Sequence, residues 1–225
     1  MDDEPFTVSE RQFQLAMFGK RAGWDDPAMD VYDSLDPRIK WRPQSTTMQT
    51  TFKQLTDFLV QLGIEKIPHT DKSYLAHLIG VHQLMKLHGL DEHLCLAGLF
   101  HSIYGTEKFQ GFKIAIDRRA DLEQLIGPRA ERLAYWNCLM DRATLDEQLA
   151  QLDGPYRIRN RETGEWMELT REEYEDLCCV HLFDWIEQAP RSRFGMDYRR
   201  DAYRHMAQRL GPTAQAAYDV VFAGV

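Results

Sequence analysis

Apolar residues recur along most of this chain at the three-to-four-residue spacing of helices with one buried face. Residues 47–62 place Phe52, Leu55, Phe58, Leu59 and Leu62 on one stripe, which Gly63 ends. A second helix is expected over 71–88, stopped by Gly89. Asp91 is placed to cap a third, from about Glu92 to Tyr104, whose run LCLAGLF is apolar on every side and so belongs at the centre of a bundle. Helices follow over 119–126 and 128–142, the latter with Pro128 in its first turn, and a shorter one over 144–152 ends at Asp153, Gly154 and Pro155. Near the N-terminus, residues 8–20 read as a short amphipathic helix. The stretch from Ala22 to Pro43 reads as a loop pinned by Trp24, Tyr32 and Trp41.

One segment changes period. Tyr156 and Ile158, then Trp166 and Leu169, alternate with polar residues, which predicts a β-hairpin over about 156–169. Thr170 and Glu173 stand at the spacing of a capping box and open a helix that runs through Gln188 to Pro190. Two final helices, about 198–210 and 213–222, are divided by Gly211 and Pro212. The pattern predicts an all-α bundle with one inserted hairpin, folded as a single domain over 1–225. Within it, 1–46 form an N-terminal helix and wrapping loop, 47–190 the core and 191–225 a helical extension.

Composition narrows the function classes. Hydrophobic residues make up 44% of the 225, enough for a sizeable core, and no run of about eighteen apolar residues predicts a transmembrane helix. The acidic start MDDEPFTVSE lacks the chemistry of a signal or transit peptide, so a cytoplasmic protein is expected. A net charge of −8 argues against a nucleic-acid partner, which needs a basic face to neutralise phosphates. Cys95, Cys138, Cys178 and Cys179 form no CxxC pair and read as small buried hydrophobes.

Among eight histidines, two stand in apolar helical stripes. His77 lies between Leu75 and Leu78, and His101 closes the LCLAGLF run. A buried imidazole needs a partner for each ring nitrogen, or a metal for one of them. Two such histidines on consecutive helices raise the case for a metal ion, against the plainer reading of satisfied core residues.

The segment YLAHLIGVHQLMKLHGLDEHLCLAGLFHSIYGT, residues 74–106, resembles the core of HD domains, in which one helix gives a histidine and the next ends in His-Asp. It is most similar to the hydrolase domains of the RelA/SpoT alarmone enzymes. DLEQLIGPRAERL matches their following helix pair, and VHLFDWIEQ resembles the segment supplying their last metal-binding aspartate. The resemblance spans roughly residues 69–190. It implies an HD-like bundle holding one divalent ion, Mn, Fe or Zn, through His77, His101 and Asp184. Asp141 is the runner-up carboxylate. His181, one turn before Asp184, is read as hydrogen-bonded to it, with a shared metal clamp as the alternative.

Two departures stand out. Ser102 occupies the place of the aspartate in the His-Asp pair, and Gly105 and Thr106 replace a later acidic pair, with Glu107 one place on. Ser102, Tyr104 or Glu107 would then orient water or substrate. His69, Lys108, Arg118 and Arg119 are the candidate substrate contacts, with Lys113 in the same basic cluster. The implied activity is that of a metal-dependent, hydrolase-like enzyme on a small phosphorylated or otherwise anionic molecule. Two alternatives stay open: a mononuclear Fe(II) oxygenase, and a degenerate HD domain that binds a ligand or partner without catalysis.

Overall fold

A computed structural model of the chain describes residues 50–69, 72–191 and 197–222, with the side chains of His69 and Lys72 outside the description. The expected helix over 8–20 and the loop from Ala22 to Pro43 lie outside the described residues. The described part is an all-α bundle carrying the expected hairpin.

Helix α1, Phe52–Gln61, begins at a capping box in which Thr51 and Gln54 satisfy each other's backbone N–H groups. Gly63, with φ +74°, ends it and leads through a short 3-10 turn into strand β1, Pro68–His69. β1 pairs antiparallel with β2, Lys72–Ser73. The expected helix start at 71 is therefore corrected. Helix α2 spans Tyr74–Leu87, and Ser73 caps it by accepting the N–H of Ala76.

Helix α3, Glu92–Phe100, is also shorter than expected, with His101 at its C-cap. The chain then turns sharply, Ile103 N–H bonding to Phe100 and Gly105 N–H to Ser102. Helices α4, Arg119–Ile126, and α5, Pro128–Leu139, follow. Met140 leaves the helix in an extended conformation and bridges Asn160, while Asp141 N–H bonds to Arg159, so the hairpin ends α5 earlier than 142. Helix α6 is Arg142–Asp146, the 144–152 expectation having placed it two residues late. Strands β3, Tyr156–Arg159, and β4, Trp166–Leu169, form the predicted hairpin.

Helix α7, Arg171–Gln188, opens on the predicted capping box of Thr170 and Glu173. It is buried nearly all round from Tyr174 onward, because α2, α3, α5 and α8 pack on its several faces. Helix α3 is likewise enclosed by α2, α5 and α7, and its Gly98 lets α2 approach closely enough for Met85 Sδ to occupy the space of a Cβ. Helices α8, Arg200–Leu210, and α9, Pro212–Phe222, pack on the end of α7, where the rings of Trp185 and Tyr203 stack at 4.5 Å. Among the described residues no helix is long and apolar enough to cross a membrane.

Candidate metal centre

The three central helices each contribute one group to a single buried point. His77 from α2, His101 from the end of α3 and Asp184 from α7 are 2%, 2% and 6% exposed. Asp184 Oδ1 lies 3.2 Å from His77 Nε2 and 3.3 Å from His101 Nε2, and the two Nε2 atoms are 3.3 Å apart. The three atoms make a nearly equilateral triangle. Donors about 2 Å from one tetrahedral ion lie about 3.3 Å from each other, so the edges have the size of a coordination face. This is the one His, Cys, Asp and Glu grouping of metal-binding geometry found among the described residues.

The opposite edge of each imidazole is anchored. His101 Nδ1 donates to the carbonyl of Gly98 at 2.8 Å, which leaves Nε2 bare toward the centre. His77 Nδ1 donates to Glu187 Oε2 at 2.6 Å. Glu187 is in turn held by Arg191 at 2.8 Å and packs against Gly80, where a Cβ would stand 2.6 Å from Glu187 Oε1. A carboxylate behind a ligating histidine fixes its tautomer and raises its basicity. Gln188 Nε2 donates to Asp184 Oδ1 at 2.8 Å.

The electrostatics follow from this geometry. Burial alone would lower the pKa of His77, but Asp184 and Glu187 at its two nitrogens outweigh it and raise the imidazole from 6.5 to about 9. Burial alone would raise Asp184, yet His101 and His77 hold its carboxyl well below the usual carboxylate range. No arginine ion pair with Asp184 appears among the described residues; its Oδ1 faces the Nε2 atoms of the two imidazoles.

Other expected groups lie elsewhere. Asp141 is the N-cap of α6, its Oδ1 accepting the N–H of Ala143. His181 is not bonded to Asp184. Its Nδ1 donates to Asn137 Oδ1 at 3.2 Å, and its Nε2 accepts from Arg199 Nη1 at 2.6 Å. Burial, then the cations of Arg199 and Arg142, keep this imidazole neutral. Asn137 also donates to the carbonyl of His101 at 2.8 Å, and the Cys138 thiol donates to the same carbonyl at 3.2 Å. All four cysteines are buried free thiols.

Ser102 Oγ is buried and shares a 2.9 Å hydrogen bond with the hydroxyl of Tyr74. Tyr104 donates to Glu131 Oε1 at 2.8 Å, and Arg119 grips both oxygens of Glu131 at 2.7 Å while lying over the Tyr135 ring. Glu107 Oε2 accepts the backbone N–H of Arg142 at 3.2 Å. Lys108 is exposed, 3.8 Å from Glu107, and Arg118 pairs with Asp121 at 3.1 Å. The side chain of His69 lies outside the described residues.

Sequence reading missed Glu187, Asn137 and Glu131. Glu187 carries a usable signal, since it stands one turn after Asp184 on a helix already expected to be central. Glu131 carries none, because PRAERL has the look of an ordinary charged helix start.

A family model described as a domain of unknown function, DUF6817, matches residues 58–142. That span carries His77 and His101 and ends before Asp184. No curated protein and no solved structure matches the chain. Over residues 58–142, from within α1 to the start of α6, the chain is thus similar to a family whose description names no activity.

Proposed function

We propose that this protein is a metal-dependent, hydrolase-like enzyme of HD-like fold that acts on a small anionic molecule. One divalent ion, Mn, Fe or Zn, would be held by His77 Nε2, His101 Nε2 and Asp184. The observation that carries this reading is the triangle of donor atoms with edges of 3.2 to 3.3 Å, each imidazole fixed from behind. Three protein ligands suit a catalytic site, since they leave coordination positions for water or substrate. When bound, such an ion polarises the substrate and lowers the pKa of water.

The chain's own residues do the rest. Glu187 and the Gly98 carbonyl aim the two imidazoles, and Gln188 holds Asp184. Ser102, the chain neighbour of His101, is neutral where the HD pattern has a carboxylate. In this reading its hydroxyl, hydrogen-bonded to that of Tyr74, orients water or substrate. Tyr104 and Arg119 are held by Glu131, and in this reading neither reacts. Glu107 is the carboxylate near Arg142 left for proton transfer.

The test is manganese-dependent release of phosphate or pyrophosphate from a panel of nucleotides and sugar phosphates. Wild type should turn over at least one compound, and His101→Ala and Asp184→Asn should not. No metal-dependent turnover across the panel sinks the hydrolase reading. The alternative of a non-catalytic domain draws on one observation: protonated His77 between Asp184 and Glu187, with Arg191 on Glu187, balances the two carboxylates without any ion. Silence in the assay together with no metal in the protein would favour it.

A further inference from the structure

Arg142, the first residue of α6, is only 8% exposed. Its Nε is buried with no partner, and among the described residues no carboxylate, carbonyl or hydroxyl engages its guanidinium. Other arginines nearby are engaged. Arg119 grips Glu131, Arg199 pairs with Asp146 and His181, and Arg209 holds Tyr156 and Glu175. A buried cation without a counter-charge is costly, and each such group in a folded protein calls for an explanation.

Its position supplies one. Asn137 and Cys138, five and four residues earlier at the end of α5, both bond to the carbonyl of His101, and the backbone N–H of Arg142 is held by Glu107. Asn137 also reaches His181. His181, Cys138 and Tyr203 each sense the charge of Arg142 and also that of Asp184, so the cation and the His-His-Asp cluster share one neighbourhood.

We propose that Arg142 is the anion-binding residue of the site. Its planar fork takes the oxyanion, phosphate or carboxylate, of a small-molecule substrate. That the reacting end of the substrate then meets the ion at His77, His101 and Asp184 rests on the metal reading above; the capture of the anion does not. The sequence-based candidates Lys108, Arg118 and Arg119 cede the role, being exposed or already paired.

The experiment is calorimetric binding of inorganic phosphate, and in a second arm malonate, to the full chain in the presence of chelator, with melting temperatures read alongside. Wild type should bind one of the two, and the preferred probe tells phosphate from carboxylate. Arg142→Gln should weaken that binding by about tenfold or more, the loss of a charge-assisted bidentate contact. It should melt no lower than wild type without ligand, because an uncompensated charge has been removed. It should also keep its response to added manganese. Should the Gln variant not fold, Arg142 has a structural role that counts against the proposal. Arg142→Lys, which keeps the charge without the fork, then decides: weakened anion binding restores the proposal, and unchanged binding ends it. Undiminished binding by Arg142→Gln, or no binding of either probe by wild type, overturns it. Arg142-dependent anion binding in a protein that takes up no metal would sink the metal reading and leave this one standing.

Discussion

At the scale of single residues, the site depends on what stands behind each imidazole. His77 is held at Nδ1 by Glu187, and Gly80 leaves the room that carboxylate needs. With no ion, His77 keeps its proton up to about pH 9, and its pairing with Asp184 and Glu187 stabilises the fold. Because this pKa is raised above the usual 6.5, that stabilisation is complete below pH 6.5 and is lost as pH rises through about 9. A metal must displace the same proton, so apparent metal affinity should rise with pH over that interval. Titrating manganese at several pH values checks this; affinity independent of pH between 6.5 and 9 would contradict it. Glu187→Gln keeps the size of the group and removes its charge. It should weaken metal binding by about 10- to 100-fold, the usual cost of losing such a supporting partner. Gly80→Ala, which pushes the Glu187 carboxylate aside, should act in the same direction.

At the scale of elements, helix ends decide which side chains meet. Thr170 with Glu173, Pro128, Gly63 and Gly89 all mark boundaries that were legible, because each satisfies or removes a terminal backbone group in a local and recognisable way. The start of α2 was not. β1 and β2 are two residues each, too short for any alternation to register, and the helix capped by Ser73 begins at Tyr74, three residues beyond the expected start. The end of α5 was not legible either, since Met140 and Asp141 are drawn out of the helix by Asn160 and Arg159, partners about twenty residues away. Asp141 shows the consequence. As the N-cap of α6 it should matter to stability alone. Asp141→Ala should lower stability by about 1 kcal/mol, the typical loss of a cap, with metal binding unchanged. Chemical denaturation beside a metal titration reads both, and a loss of metal binding would put Asp141 back among the ligands.

Taken as a whole molecule, the bundle and its site were legible to different degrees. The order of helices and the hairpin follow from period and punctuation, and the structure keeps both. His77, His101 and Asp184 were legible because each is a polar group inside an apolar run, where burial without a partner is expensive. Glu187 and Arg142 were not. A glutamate near a helix end and an arginine beside an aspartate each have an ordinary surface reading, and only the fold shows them to be buried. The account as a whole turns on whether the three converging groups hold an ion. Elemental analysis of wild type and His101→Ala, both purified without chelator, tests this most directly when paired with melting temperatures before and after added manganese. Wild type should carry Mn, Fe or Zn at up to one ion per chain and gain thermal stability from added metal, since a ligand bound by the folded state alone stabilises it. His101→Ala should do neither. Wild-type protein free of all three metals, with a melting temperature that manganese leaves unmoved, would contradict the account.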